Sequence, residues 1–123
     1  AVSLTYARTL GEIGSADAGR RAQTVLRPLL AQSFDDPLLQ KSYGRASELA
    51  GDIDRASEAY AEAAYLNGRP EDALKQLDAL LKKENIDYVQ RARVEARMAA
   101  ITPEVLEMRR QGVKPSQQPP DRS

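Results

Sequence analysis

Apolar and small residues recur along this chain in three copies of one arrangement: Ala22-x3-Leu26-x2-Leu29, Ala56-x3-Tyr60-x2-Ala63 and Ala73-x3-Leu77-x2-Leu80. Steps of four and three residues place each triplet on one face of a helix. The whole chain carries this kind of patterning, and it predicts seven helical stretches. The first, about 1–12, has Val2, Leu4, Tyr6, Ala7, Leu10 and Ile13 as apolar positions. Asp17 is read as the cap of a second, about 18–32, striped by Ala22, Val25, Leu26, Leu29 and Leu30, with Pro28 inside it. Asp35-Asp36-Pro37 is a start signal, with proline in the first turn, and opens a third helix that runs to about Ala50. Ala50-Gly51-Asp52 and Asn67-Gly68-Arg69-Pro70 read as tight turns on either side of a fourth, about 53–66. The fifth, about 70–83, is the most regular, with Ala73, Leu74, Leu77, Leu80 and Leu81 on one face. Asn85 or Asp87 opens a sixth, about 87–100, and Thr102-Pro103-Glu104 reads as the cap and first turn of a seventh, about 103–111.

The first two triplets start 34 residues apart and the third follows 17 later, half that distance. A 34-residue period with small residues at fixed offsets is the mark of a tetratricopeptide (TPR) array, in which each unit is a pair of antiparallel helices that buries its apolar face only by stacking on its neighbours. The expected fold is therefore all-α: a TPR-like solenoid of antiparallel helix hairpins, about six to seven helices, over residues 1–111. Close approach of two helices needs a small residue on each. The second set follows a tyrosine each time: Tyr6-Ala7, Tyr43-Gly44 and Tyr60-Ala61. From Tyr43 to Ala56 and from Tyr60 to Ala73 is 13 residues, but from Tyr6 to Ala22 is 16, so the first connection carries about three extra residues near Gly14 to Ala18. The half-period overlap gives the 53–66 helix two roles, closing one hairpin and packing on the next helix by similar contacts. All these positions are expected to be core.

Composition narrows the function more than the fold. Aromatics are 5%, with no Trp and one Phe, so the core is Ala, Leu and Val, which suits closely packed helices. Lysine plus arginine equals aspartate plus glutamate at 18 each, which gives no reason to expect the pull on nucleic acid that a basic domain has. No apolar run approaches the ~20 residues that cross a bilayer. There is no cysteine, hence no disulfide or thiolate metal site. The chain has no initiator methionine and no secretion signal, and Ala1-Val2-Ser3-Leu4 already reads as helix. A fragment of a larger protein is expected. From Gly112 the composition turns to Pro, Gln, Ser and charge, so 112–123 is expected to be a disordered, solvated tail.

Catalytic constellations are missing. Without histidine there is no Ser-His-Asp arrangement, no HExxH and no imidazole ligand, and without cysteine no thiol nucleophile. The glycines are scattered and form no phosphate loop. Carboxylates pair at Asp35-Asp36, Glu58 with Glu62, and Glu71-Asp72. The first and third sit in helix first turns, where negative charge suits the macrodipole. The chain is expected not to be an enzyme, to hold no cofactor or metal, and to work by binding proteins. If the first, third and fifth helices line the concave side, the lining includes Thr5, Arg8, Glu12, Lys41, Arg45, Glu48, Lys75, Asp78 and Lys82. Of these, Arg8, Lys41, Arg45, Glu48, Lys75 and Lys82 are the candidate partner-binding residues. Arg8, Arg45 and Lys75 are placed to hold carboxylates of a partner strand or C-terminus. In the sixth helix Arg91 and Glu95 are i, i+4 neighbours. Arg93 and Arg97 repel each other at the same spacing, which makes sense if both dock on an acidic surface, such as another domain.

Three stretches carry a more specific likeness: Ala50-Gly51-Asp52, the turn Tyr65-Leu66-Asn67-Gly68-Arg69-Pro70-Glu71-Asp72-Ala73-Leu74, and the helix Asp87-Tyr88-Val89-Gln90-Arg91-Ala92-Arg93-Val94-Glu95-Ala96-Arg97. Over about 36–101 the chain resembles the C-terminal TPR region of BepA/YfgC-type periplasmic zinc metalloproteases, whereas residues 1–35 match only as a repeat. That resemblance implies a periplasmic location and a parent with an N-terminal HExxH zinc protease domain. It implies partners among outer-membrane β-barrel proteins, the barrel assembly machinery and the parent's own protease domain, and a role in barrel assembly and quality control. No catalytic residue carries over to this chain, and zinc is expected only in the protease domain. The alternative function is a free-standing TPR adaptor or co-chaperone that binds peptide C-termini.

Overall fold

Caps and turns set the helix boundaries. The computed structural model describes residues 2–113, which form α1 (Val2–Ile13), α2 (Ala16–Gln32), α3 (Pro37–Leu49), α4 (Ile53–Leu66), α5 (Pro70–Leu81) and α6 (Tyr88–Arg110). No strand occurs among the described residues. Ala1 and the tail expected to be disordered lie outside them, apart from Gly112 and Val113. Asp36 caps α3 by accepting from the amides of Leu38 (2.9 Å) and Leu39 (3.3 Å), with Pro37 in the first turn. Asp87 caps α6 through the Gln90 amide at 2.8 Å.

The turns after α3 and α4 are built alike. Gly51 and Gly68 take φ of 82° and 80°, a left-handed geometry that costs glycine little. The amides of Gly51 and Asp52 return to the Glu48 and Ser47 carbonyls, and those of Gly68 and Arg69 to Tyr65 and Ala64. This paired closure satisfies carbonyls that a helix end leaves open. Connections this short make successive helices antiparallel neighbours.

Two expected boundaries are corrected. Ser15, not Asp17, caps α2, accepting from the Ala18 amide at 3.0 Å, while Asp17 sits inside the first turn and pairs with Arg20. The expected sixth and seventh helices are one helix, α6, with Pro103 inside it. The Thr102 hydroxyl does not cap a new helix; it donates back to the Met98 carbonyl at 2.7 Å. Pro103 removes one backbone hydrogen bond. Val94, Ile101 and Val105, all buried in the same cluster, form a stripe at helical spacing that holds the chain helical across it.

Each helix packs on the next, and α1 also packs on α3. The core falls into two clusters that share α4. Ala59 belongs to the first with Leu10, Leu26 and Tyr43, while Ala61 and Ala64 belong to the second with Leu77, Leu80 and Ile101. The double role expected of the 53–66 helix is thus present. The repeated small positions Ala7, Ala22, Gly44, Ala56, Ala61, Ala63 and Ala73 are all buried. The architecture is all-helical and compatible with a helical-hairpin solenoid.

A close crossing lies at a residue the repeat did not single out. A methyl group on Gly19 would meet the Ala50 nitrogen at 2.7 Å and the Ala46 oxygen at 2.8 Å, so α2 touches the backbone of the last turn of α3. On Gly44 it would meet the Tyr60 ring at 2.8 Å. A buried polar cluster locks the same corner. The Gln23 amide donates to the Ser47 hydroxyl (2.9 Å) and the Asp52 carboxylate (3.3 Å), joining α2, the end of α3 and the cap of α4.

Candidate functional site

The packing of α1 on α3 leaves a groove between them of ≈ 640 Å³. Its floor is small: Ala7, Gly11 and Ala46, each buried. Its walls carry Arg8 and Glu12 from α1 with Lys41 and Arg45 from α3, and Leu38 and Asn67 close the ends. Arg45 is anchored, its guanidinium donating to the Gly11 carbonyl at 3.3 Å. Three cations thus face one carboxylate across a narrow apolar floor.

Three of the expected partner-binding residues, Arg8, Lys41 and Arg45, therefore come together. The other three do not join them. Lys82 pairs with Asp78 of its own helix at 2.9 Å and lines a separate hollow with Asp54 and Lys83. Lys75 is exposed on α5, outside the groove. Glu48 is exposed at the end of α3, near Tyr60. Burial of the Tyr60 phenol, with the Glu48 charge second, raises its pKa above the ordinary value. Leu38 and Asn67 are groove residues that the helix pattern gave no reason to choose, since both sit at helix ends.

Arg93 and Arg97 are engaged within the chain. Arg93 forms two hydrogen bonds to Glu58 at 2.7 and 2.8 Å, and Gln90 adds a third at 3.1 Å. Arg97 holds Glu62 in the same two-pronged manner, one bond measuring 3.1 Å, and its guanidinium lies 4.7 Å from the centre of the Tyr65 ring. The acidic surface they face is α4. Hydrogen bonding to these carboxylates raises both arginine pKa values. Tyr65 is raised too, by a hydrogen bond to Glu104. Arg109 completes the series on Glu71, a carboxylate that is only 8% exposed. Arg91 donates to the Leu81 carbonyl at 3.4 Å rather than to Glu95.

The spacing of these pairs was in the sequence. Glu58 to Arg93 and Glu62 to Arg97 are each 35 residues, and Gly11 to Arg45 is 34. Arg93 and Arg97 thus meet carboxylates that lie about one 34-residue period earlier in the chain. Among the described residues no group of three or more carboxylates is placed to hold a metal ion, and no helix is long and apolar enough to cross a membrane. Compared with family models, curated proteins and solved structures, the chain matches none.

Proposed function

We propose that the chain is a TPR-type protein-recognition module that holds a segment of a partner protein in the groove between α1 and α3. The observation behind this reading is the convergence of Arg8, Lys41 and Arg45 over a floor of small residues. The floor admits a backbone or a small side chain, and the cations take carboxylates in charge-assisted bonds. A mixed, mainly basic groove favours partner choice and encounter rate more than raw affinity.

The resemblance to BepA/YfgC-type proteins supplies the setting for this proposal. The module is the recognition half of a periplasmic zinc metalloprotease and chaperone. Its partners are outer-membrane β-barrel clients, the barrel assembly machinery and the parent's own protease domain. Zinc belongs to that domain. The likeness is strongest in the α4–α5 turn and in the Gln90-to-Arg97 face of α6, the face that clamps α4.

Two tests separate the parts of the proposal. The gene should encode an HExxH domain in frame upstream, and its absence contradicts the protease setting while leaving the groove untouched. Lys41→Glu with Arg45→Glu should weaken partner binding at least tenfold with the helical circular dichroism retained. Unchanged affinity contradicts the groove.

A further inference from the structure

A second cleft, ≈ 610 Å³, opens among α2, α4 and α6 and shares no residue with the α1–α3 groove. The arginine clamp forms one side of it. Arg93 and Arg97 bridge α6 to Glu58 and Glu62 of α4. Ala59, Leu77 and Val94, all buried, form the floor of the cleft, and the exposed Ala96 and Ala100 stand on its α6 side. The chain's one phenylalanine, Phe34, stands at the rim and is 55% exposed. Gln40 donates to its backbone carbonyl at 2.8 Å, which ties the main chain to α3 there.

Charge says what fits the trough. Four arginines and two glutamates line it. Both glutamates are saturated by Arg93 and Arg97. Arg27, which donates to the Tyr43 hydroxyl at 3.4 Å, and Arg55 have no lining carboxylate to offset them. An apolar trough of this size is typical of ligand sites. An excess of two positive charges on its wall calls for an occupant that is apolar and acidic at once.

We infer that the α2–α4–α6 cleft is a second docking site, which takes an acidic amphipathic segment of a partner protein. Its apolar face lies on the trough and Phe34, and its carboxylates meet Arg27 and Arg55. This is helix-in-groove recognition with a charged rim. It does not rest on the α1–α3 reading, because no residue is common to the two sites.

A random dodecapeptide display library selected on the chain, with counter-selection on the Arg27→Glu/Arg55→Glu variant, tests it. Both arginines are exposed, so that variant should fold, and circular dichroism checks this. Enriched peptides should combine leucine, isoleucine or aromatic residues with aspartate or glutamate. They should shift the backbone amide resonances of Val94, Ala96 and Ala100 and bind the variant at least tenfold more weakly. Replacing their acidic residues with lysine should restore binding to the variant. The inference is overturned if no peptide is enriched, if enriched peptides lack carboxylates, or if the variant binds them equally well. Shifts confined to α1 and α3 also overturn it, while supporting the groove of the proposed function.

Discussion

At the scale of single residues, two kinds of contact decide how this chain holds together: backbone approach at glycine and arginine fastened to carboxylate. Gly19 and Gly44 look alike in sequence, but their neighbours differ. Gly19 lies against backbone atoms of α3, which cannot move without moving the helix; Gly44 lies under a half-buried tyrosine ring, which can turn. Gly19→Ala should therefore cost on the order of 1–3 kcal/mol by overpacking, and Gly44→Ala distinctly less. Urea denaturation of the two variants would show this, and equal costs would contradict the assigned contacts. The arginines divide in the same way. Glu62 is 9% exposed in its side chain and Glu58 18%, while Arg97 and Arg93 are 31% and 40% exposed. Arg97→Ala strands the more buried carboxylate and should lose about 2 kcal/mol. Arg93→Ala breaks a more exposed pair and should lose roughly 1 kcal/mol or less. Thermal melts at low and high salt would separate the two.

At the scale of elements, α6 is the informative case. Thr102-Pro103-Glu104 has every local property of a helix start, and the chain runs through it as helix. Local chemistry lost to a tertiary stripe, because Val94, Ile101 and Val105 must share one face to reach Leu77 and Leu80. Pro103 is thus a retained cost. Pro103→Ala should stabilise the chain by on the order of 1–3 kcal/mol, since alanine is about 3 kcal/mol better in a helix interior. A loss of stability would mean that the chain needs a break there. The elements most legible in the sequence were those fixed by nearby residues: the capped turns at Gly51 and Gly68, the start at Asp36-Pro37 and the small positions of the repeat. Asp17 was misread because Ser15, two residues earlier, caps equally well and Gly14 just ahead of it ends α1. The α1–α3 groove was legible in part. Arg8, Lys41 and Arg45 follow from helix faces, whereas Lys75 and Lys82 depended on how α5 is turned against α3. The clamp of α6 on α4 required pairing residues a whole repeat apart, a relation that no local window contains.

At the scale of the whole molecule, helices two apart in the chain are joined in two ways. The α1–α3 contact is close, over Ala7, Gly11 and Ala46, and leaves a narrow groove with basic walls. Between α4 and α6 the link is made by arginine–glutamate pairs, beside a mainly apolar trough. In a helical-hairpin solenoid, with which this fold is compatible, small changes between units set the surfaces on offer. Under the proposed function, two surfaces of different chemistry would let the chain hold one protein segment while engaging another.

The most direct test of the central claim is site-specific photo-crosslinking in cells that express the protein. Probes would replace Arg8 and Lys41 in the α1–α3 groove, with controls at the exposed Arg20 and Thr24 of α2. The account predicts crosslinks to another protein, an outer-membrane barrel or an assembly component, from the groove positions and not from the controls. Groove probes that crosslink no better than the controls would contradict it.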